Sequence, residues 1–194
     1  MKATSILRIW HETRRYAADL LADRRGLAAV EFAFILPVML VMFFGTVEFS
    51  SGIAIDRKVT LMARTLSDLT SQATSVTDSD LTNFFAASTG IMTPYPTATL
   101  NSTITELYVD PNTLAARVQW SKGSAPRTAG TTVTIPSALA IAGTYLIFSE
   151  VSYVYVPTVG YVMAKAGITM SDFTYTRPRQ SICVMYNTTV CSQT

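Results

Sequence analysis

Glu31 is the side chain in this sequence whose charge is hardest to place. It lies near the start of an apolar run over residues 27–55, in which Glu48 is the only other ionisable residue. A charged side chain inside a membrane helix costs on the order of 2.5–3.5 kcal/mol, and such residues usually have a partner or a function. If the chain were cut after Gly26, the new amine of Leu27 on one subunit would neutralise Glu31 on a neighbour. The alternative is a glutamate near a helix end that reaches the lipid headgroups.

Four carboxylates in the later part of the chain are candidates for paired acid–base chemistry. They are Glu106, Asp110, Glu150 and Asp172. Isolated acidic residues in segments rich in β-forming residues are more typical of solvated faces or strand ends. The only histidine, His11, precedes the apolar run, so a membrane would separate it from these residues and exclude a histidine-based triad. The sequence contains no P-loop, dinucleotide fingerprint or metal-binding helix motif. It therefore predicts no catalytic residue, metal site or cofactor, and we expect no enzyme.

Two cysteines, Cys183 and Cys191, lie near the C-terminus. Outside the cytoplasm they would form a disulfide, because that compartment is oxidising and the bridge would order an end that otherwise frays. The alternative is two free thiols that pack in the interior. A metal site is a poorer hypothesis, because no histidine or acidic cluster accompanies the cysteines.

The element that must position Glu31 is the apolar run itself. At about 1.5 Å per residue, residues 27–55 would form a helix of roughly 43 Å, whereas a bilayer core of about 30 Å needs about 20 residues. Pro37 cannot donate a hydrogen bond to the carbonyl of Ala33, which predicts a kink. We expect a membrane-spanning helix that projects beyond the bilayer.

Residues 1–26 form a charged leader. Basic residues near a membrane segment tend to stay in the cytoplasm. Before the run lie Arg8, Arg14, Arg15, Arg24 and Arg25, and after it lie Arg57, Lys58 and Arg64. This bias predicts a single-pass protein with a cytoplasmic N-terminus and an exported C-terminal part. The run is too long for a secretory signal, whose apolar region has about 7–15 residues. The leader is either an amphipathic helix on the membrane face or a disordered polar segment.

Residues 56–92 are predicted to be helical. Apolar residues continue in helical register over residues 59–69, which predicts an amphipathic extension of the membrane helix. A second, short helix follows, with Asp78 or Ser79 as its N-cap and Gly90 at its end.

Residues 93–194 are predicted to be a β-rich domain that begins with a proline-containing linker. Ile104, Glu106 and Tyr108 alternate with Thr105, Leu107 and Val109. A turn signal at Asp110 precedes a second run over residues 114–120, which indicates a hairpin. The later runs LIFSEVSYVYV and ITMSDFTYT suit a pleated surface. We expect an α+β fold in which the emerging helix packs on an antiparallel sheet of about four strands.

The composition gives little support to most binding functions. The net charge is only +2, and the basic residues are concentrated near the apolar run, so the sequence predicts no nucleic-acid partner. Asn101 and Asn187 match the N-glycosylation pattern, which has little weight in a bacterial setting. Five tyrosines are candidates for an adhesive surface, although aromatic residues in strands are more often core. They are Tyr95, Tyr153, Tyr155, Tyr161 and Tyr175.

Gly26, the apolar stretch after it and the pair Glu31–Phe32 resemble the prepilin processing site of type IV pilins. More narrowly, GLAAVEFAFILPVML resembles the N-terminal signature of TadE-like proteins, the minor pseudopilins of the tight-adherence (Tad, Flp) pilus. Residues 107–121, 149–157 and 175–179 are similar, through short and individually unspecific motifs, to the periplasmic parts of TadE-like and TadG-like proteins.

The resemblance implies that a prepilin peptidase cuts between Gly26 and Leu27, and that Glu31 and Phe32 act in assembly. It implies a bacterial inner-membrane protein with a periplasmic C-terminal domain, which can enter a surface pilus. The implied partners are the peptidase, other major or minor pilins through the N-terminal helix, the inner-membrane assembly platform and membrane lipid. The alternative is an uncleaved, membrane-anchored assembly factor or ligand-binding module of the same secretion system.

Overall fold

The computed structural model describes Tyr16, residues 26–157 and residues 167–191. The chain divides into two compact units, here named the first unit, up to Val47, and the second unit, from Glu48 on. The predictions for the rest of the leader and for Tyr161 lie outside the described residues.

The long helix α1, Leu27–Ser71, contributes residues to both units. Its 21 residues in the first unit would measure about 32 Å at about 1.5 Å per residue, which matches the bilayer core of about 30 Å. Every side chain from residue 27 to residue 47 is exposed. Among the described residues, α1 is the one helix long and apolar enough to cross a membrane. Pro37 lies inside it.

In the second unit, α1 becomes amphipathic, as its sequence predicts. Ile55, Val59, Met62 and Leu66 recur at intervals of three and four residues, so they share one face, and all are fully buried. The first three of these residues pack in one cluster that includes Met92 and Tyr153. Leu66 packs in a second cluster with residues of the sheet. The predicted amphipathic extension is confirmed.

A short strand, β1 (Ser75–Val76), leads into the second helix, α2 (Asp78–Thr89). The prediction of Asp78 or Ser79 as N-cap was wrong by one or two positions. Thr77 is the cap: its side chain accepts from the Asp80 N–H at 3.2 Å, and Asp80 accepts from the Thr77 N–H at 2.9 Å. This reciprocal capping box places Asp78 in the first turn. α2 ends before Gly90, as predicted, and continues as a short 3₁₀ turn.

The second unit contains a five-stranded antiparallel sheet in the spatial order β4-β3-β2-β5-β6. The strands are β2 (Leu100–Val109), β3 (Ala116–Gly123), β4 (Thr132–Val133), β5 (Tyr145–Tyr155) and β6 (Ile168–Thr176). The predicted α+β class and the hairpin of β2 and β3 are confirmed. The sequence predicted about four strands, and the strand that it missed is β4. Its two residues form a strand that is too short to show alternation.

Both faces of the sheet are covered. One, the helix face, carries Ile104 and Ile147, which pack on Leu66 of α1. The other, the loop face, carries Leu107, Val118 and Phe148, over which side chains from the connection between β3 and β5 pack. The predicted alternation in β2 is therefore observed, with even and odd positions on opposite faces.

The C-terminal segment closes the helix face. Strand β7 (Met185–Tyr186) pairs in parallel with β1. Cys183 and Cys191 form the expected disulfide, with their Cα atoms 6.0 Å apart. Cys183 is buried beside Tyr108 and Tyr145, so the bridge fixes the end of the described chain to the sheet.

Candidate functional site

Gly26 and Leu27, the predicted processing site, lie where α1 begins. Leu27 is the first residue of the helix and is exposed. A Cβ atom added at Gly26 would meet nothing within 4 Å. The described fold therefore imposes no steric need for glycine at this position, and cleavage at this bond stays a prediction.

Glu31 lies on the exposed surface of α1, one turn after Leu27. Residues three and four positions away on a helix are its neighbours, and here Leu27, Phe34 and Ile35 are all apolar. None of the ion pairs recorded among the described residues includes Glu31. The carboxylate is thus presented, without a cation from the described chain, on an otherwise apolar surface.

Apart from Thr46, whose hydroxyl donates to the Met42 carbonyl, the rest of the helix surface in the first unit is apolar. Its large exposed side chains include Phe32, the predicted assembly residue. α1 continues on both sides of Pro37, and the predicted kink stays a prediction. An apolar helix surface of this kind suits lipid or the faces of other membrane helices.

Glu48, the other glutamate of the apolar run, has different surroundings. It is half-buried at the start of the second unit and interacts with other described groups. One of these is Tyr155, which lies within hydrogen-bonding reach. Of the two glutamates, Glu31 is therefore the more exposed one.

Glu106 contradicts the expectation that acidic residues in the strands are solvated. It is only 2% exposed, on the helix face of β2. Its Oε1 atom accepts a hydrogen bond from the Val184 N–H at 2.6 Å, and Trp120 Nε1 donates to the Val184 carbonyl at 2.8 Å. Burial raises the pKa of Glu106 to about 8, although the Val184 hydrogen bond lowers it. Its position between Ile104 and Tyr108, on a face expected to be apolar, was the sequence signal for burial.

The other three candidate carboxylates have separate partners. Glu150 forms a bidentate ion pair with Arg127, and its Oε1 atom lies 2.8 Å from Nη2. Asp110 accepts from two backbone N–H groups of its turn, and these hydrogen bonds lower its pKa. Asp172 accepts from the Phe173 N–H at 2.8 Å. The structure does not bring these candidates together as a carboxylate pair.

Of the five tyrosines considered for an adhesive surface, the four that the structure describes are buried or half-buried. Tyr153 is buried against α1, and Tyr175 stacks on Phe148 with ring centroids 4.5 Å apart. Tyr95 and Tyr155 are half-buried beside the same α1 cluster. The alternative interpretation, that aromatic residues in this region are core, is confirmed for Tyr153.

Comparison with known proteins finds one family whose model matches the N-terminal helix. The family model described as TadE-like protein matches residues 26–66, or 41 of the 194 residues. The match begins at Gly26 and includes Glu31, so the resemblance to TadE-like proteins is confirmed over α1. It implies a component associated with a Tad pilus system. No curated protein and no solved structure matches the chain.

Proposed function

We propose that this chain is a minor pilin-like subunit of a Tad/Flp type IVb pilus that acts in pilus initiation, assembly or adhesion. In this proposal a prepilin peptidase removes residues 1–26, and the subunit then packs through α1 with other pilins. The observation that carries the proposal is Glu31, an exposed carboxylate on an apolar helix surface inside the TadE-like match.

The charge of Glu31 supports assembly through a neighbouring N-terminus. After cleavage, Leu27 carries a positive amine, and Glu31 is the fifth residue of the mature chain. The amine of one subunit and the carboxylate of the next neutralise each other in apolar surroundings, where either charge alone is costly. A subunit displaced along its neighbour would lose this pair, so the pair sets the position of one helix against the next.

The length of the apolar segment supports storage in the membrane before assembly. Residues 27–47 span the hydrocarbon core, and their exposed side chains offer lipid or pilin contacts along the segment. Among the described residues this is the one candidate span, which fits a single-pass protein.

A second candidate function is an uncleaved, membrane-anchored assembly factor of the same system. The same helix supports it, since a continuous α1 would anchor the chain without processing. In that case Glu31 lies within reach of lipid headgroups, and no amine is created at Leu27.

Cleavage separates the two candidates. N-terminal sequencing of the protein from cells that contain the pilus system should begin at Leu27, which leaves the 194 residues minus the 26 of the leader, or 168. Gly26→Val should block processing, because a branched side chain prevents close approach of the peptidase to the backbone. Gly45→Val is a matched control, since Gly45 also has open space around its Cβ position. An intact N-terminus on the wild-type protein, or normal processing of Gly26→Val, would contradict cleavage at this bond.

A further inference from the structure

The loop face of the sheet contains a cleft of about 450 Å³. Its floor is formed by β2, β5 and β6, and one wall by the segment after β3, which includes Ala125 and Arg127. The cleft lies entirely within the second unit and shares no residue with the predicted processing and assembly site. Its chemistry is therefore independent of the proposed function.

The floor presents a row of small polar side chains. Asn101, Ser152 and Ser171 occupy paired positions on three adjacent strands. Neighbouring strands lie about 4.8 Å apart, so an amide and two hydroxyls recur at that interval on one face. These three side chains make no recorded hydrogen bond to any described residue and are available to a ligand.

The next row contains the charges of the cleft. Thr103, Glu150 and Phe173 are paired across the same strands, and Glu150 is held by the bidentate ion pair with Arg127. The Arg127 guanidinium lies 5.1 Å from the centroid of the Phe148 ring, which fixes it further. Since the two charges neutralise each other, neither is free for an ionic ligand.

The wall is positioned by backbone contacts. Gly123 has a φ of +132°, and a Cβ atom there would clash with the Ser102 carbonyl. This close approach allows the Ser124 N–H to donate to the Ser102 carbonyl at 2.8 Å. The Ala125 N–H donates to Thr103 Oγ1 at 3.1 Å. The cleft is thus formed before a ligand arrives, which lowers the entropic cost of binding.

An exposed aromatic ring stands beside the polar floor. Phe173 is 57% exposed, yet its ring packs edge-on against two other rings. The ring centroids lie 5.8 Å apart for Tyr175 and 6.1 Å apart for Phe148. An exposed ring held in this way offers a flat apolar surface next to the hydroxyl and amide groups of the floor.

We propose that this cleft binds a neutral saccharide. The hydroxyls and amide of the floor are donors and acceptors that match the hydroxyl groups of a sugar. The Phe173 ring matches the apolar C–H face of a pyranose. Arg127 is already paired with Glu150, so an anionic ligand is disfavoured. A peptide strand added to the edge of β6 is also disfavoured, because Asp172 already accepts from the Phe173 N–H.

The test is saturation-transfer NMR and calorimetry on the full chain in lipid nanodiscs, without sugar-based detergent. The probes are glucose, galactose, mannose, N-acetylglucosamine and their β1-4-linked disaccharides. At least one should bind, and Phe173→Ala should weaken that binding about tenfold or more, which is the equivalent of one aromatic contact. Ser171→Trp, which fills the cleft from an exposed edge position, should abolish it.

Ile168→Ala is the matched control. Ile168 is also on β6 and is 53% exposed, but it does not line the cleft. Thermal unfolding of Ser171→Trp and Ile168→Ala should match wild type, because both side chains are exposed. Phe173→Ala should lose only the stabilisation from its ring contacts with Tyr175 and Phe148. The proposal is overturned if no probe binds at tens of millimolar, or if Ile168→Ala and Phe173→Ala weaken binding equally. Stronger binding of inorganic phosphate or of an extended peptide than of any saccharide would also overturn it.

Discussion

The two units of this chain treat a carboxylate among apolar residues in opposite ways. In the second unit, Glu106 is buried and the chain itself supplies a partner, the Val184 N–H from 78 residues further on. In the first unit, Glu31 is exposed on an apolar helix, and no ion pair with a described residue is recorded. An acidic residue in an apolar segment is therefore accommodated in one of two ways. Either the fold closes over it, or it is left for a second molecule to neutralise.

The largest expected difference between the units concerns apolar side chains. Leu66 of α1 is fully buried in the second unit, so Leu66→Ala should lower its free energy of unfolding by about 2–5 kcal/mol. Leu36→Ala, at an exposed position of the same helix in the first unit, should leave that free energy unchanged. Chemical denaturation followed by near-ultraviolet circular dichroism measures both. Equal losses in the two variants would mean that the units do not unfold separately.

The next largest effect is expected from the removal of the Glu31 carboxylate. Glu31→Ala should insert into the membrane at least as well as wild type, because an intramembrane charge is removed. Its incorporation into pili should fall several-fold, because the amine of a neighbouring Leu27 is left without its partner. Glu48→Ala should have a milder effect, since Glu48 interacts within the chain.

Site-specific crosslinking to other pilins and counts of surface fibres measure the two glutamate variants together. If Glu48→Ala abolishes fibres while Glu31→Ala supports them like wild type, the assembly role belongs to Glu48 and not to Glu31.

The smallest expected effect on stability, taken per pH unit, is the pH dependence that comes from Glu106. Because its pKa is raised from 4.5 to about 8 in the fold, the folded state binds this proton more tightly than the unfolded chain. The contribution of Glu106 to the free energy of unfolding should therefore be complete below about pH 4.5 and decrease between there and about pH 8, by at most about 1.4 kcal/mol per pH unit. Of the tyrosines facing this region, Tyr145 has a pKa that burial, and then Glu106, raises above 10, outside this window.

Glu106→Gln isolates this contribution. The amide oxygen can still accept from the Val184 N–H, but the side chain no longer titrates. Urea denaturation across the same pH range should show a flatter profile for the variant. An unchanged slope would assign the pH dependence to other groups.

Much of the fold follows from local sequence patterns. The 3.6-residue period after Ile55 predicted the buried face of α1, and the alternation from Ile104 to Val109 predicted both faces of β2. The capping residue Thr77 and strand β4 were missed because each depends on one or two residues, too few to form a pattern. The burial of Glu106 was missed because its partner, Val184, lies 78 residues further along the chain.

The two candidate sites differ in the same respect. Gly26 and Glu31 lie five residues apart, so their pattern is visible in the sequence. The cleft combines Asn101, Ser152 and Ser171, which only the register of three strands brings together. A site made of residues close in sequence can be predicted from the sequence, whereas a site made of residues on several strands becomes visible only in the folded structure.

The parallel pairing of β1 with β7 has a consequence for biogenesis. It joins Ser75 to Met185, so the second unit is closed by residues that the ribosome adds 185 minus 75, or 110, positions later. Until those residues emerge, Trp120 and Glu106 lack Val184, and the part of the helix face around these two side chains stays uncovered. A nascent chain of this protein is therefore exposed to aggregation until residue 185 has emerged, because contacts so distant in sequence form late. A premature stop before Cys183 would leave Trp120 and Glu106 without this cover, and the truncated product would be a substrate for quality-control proteases.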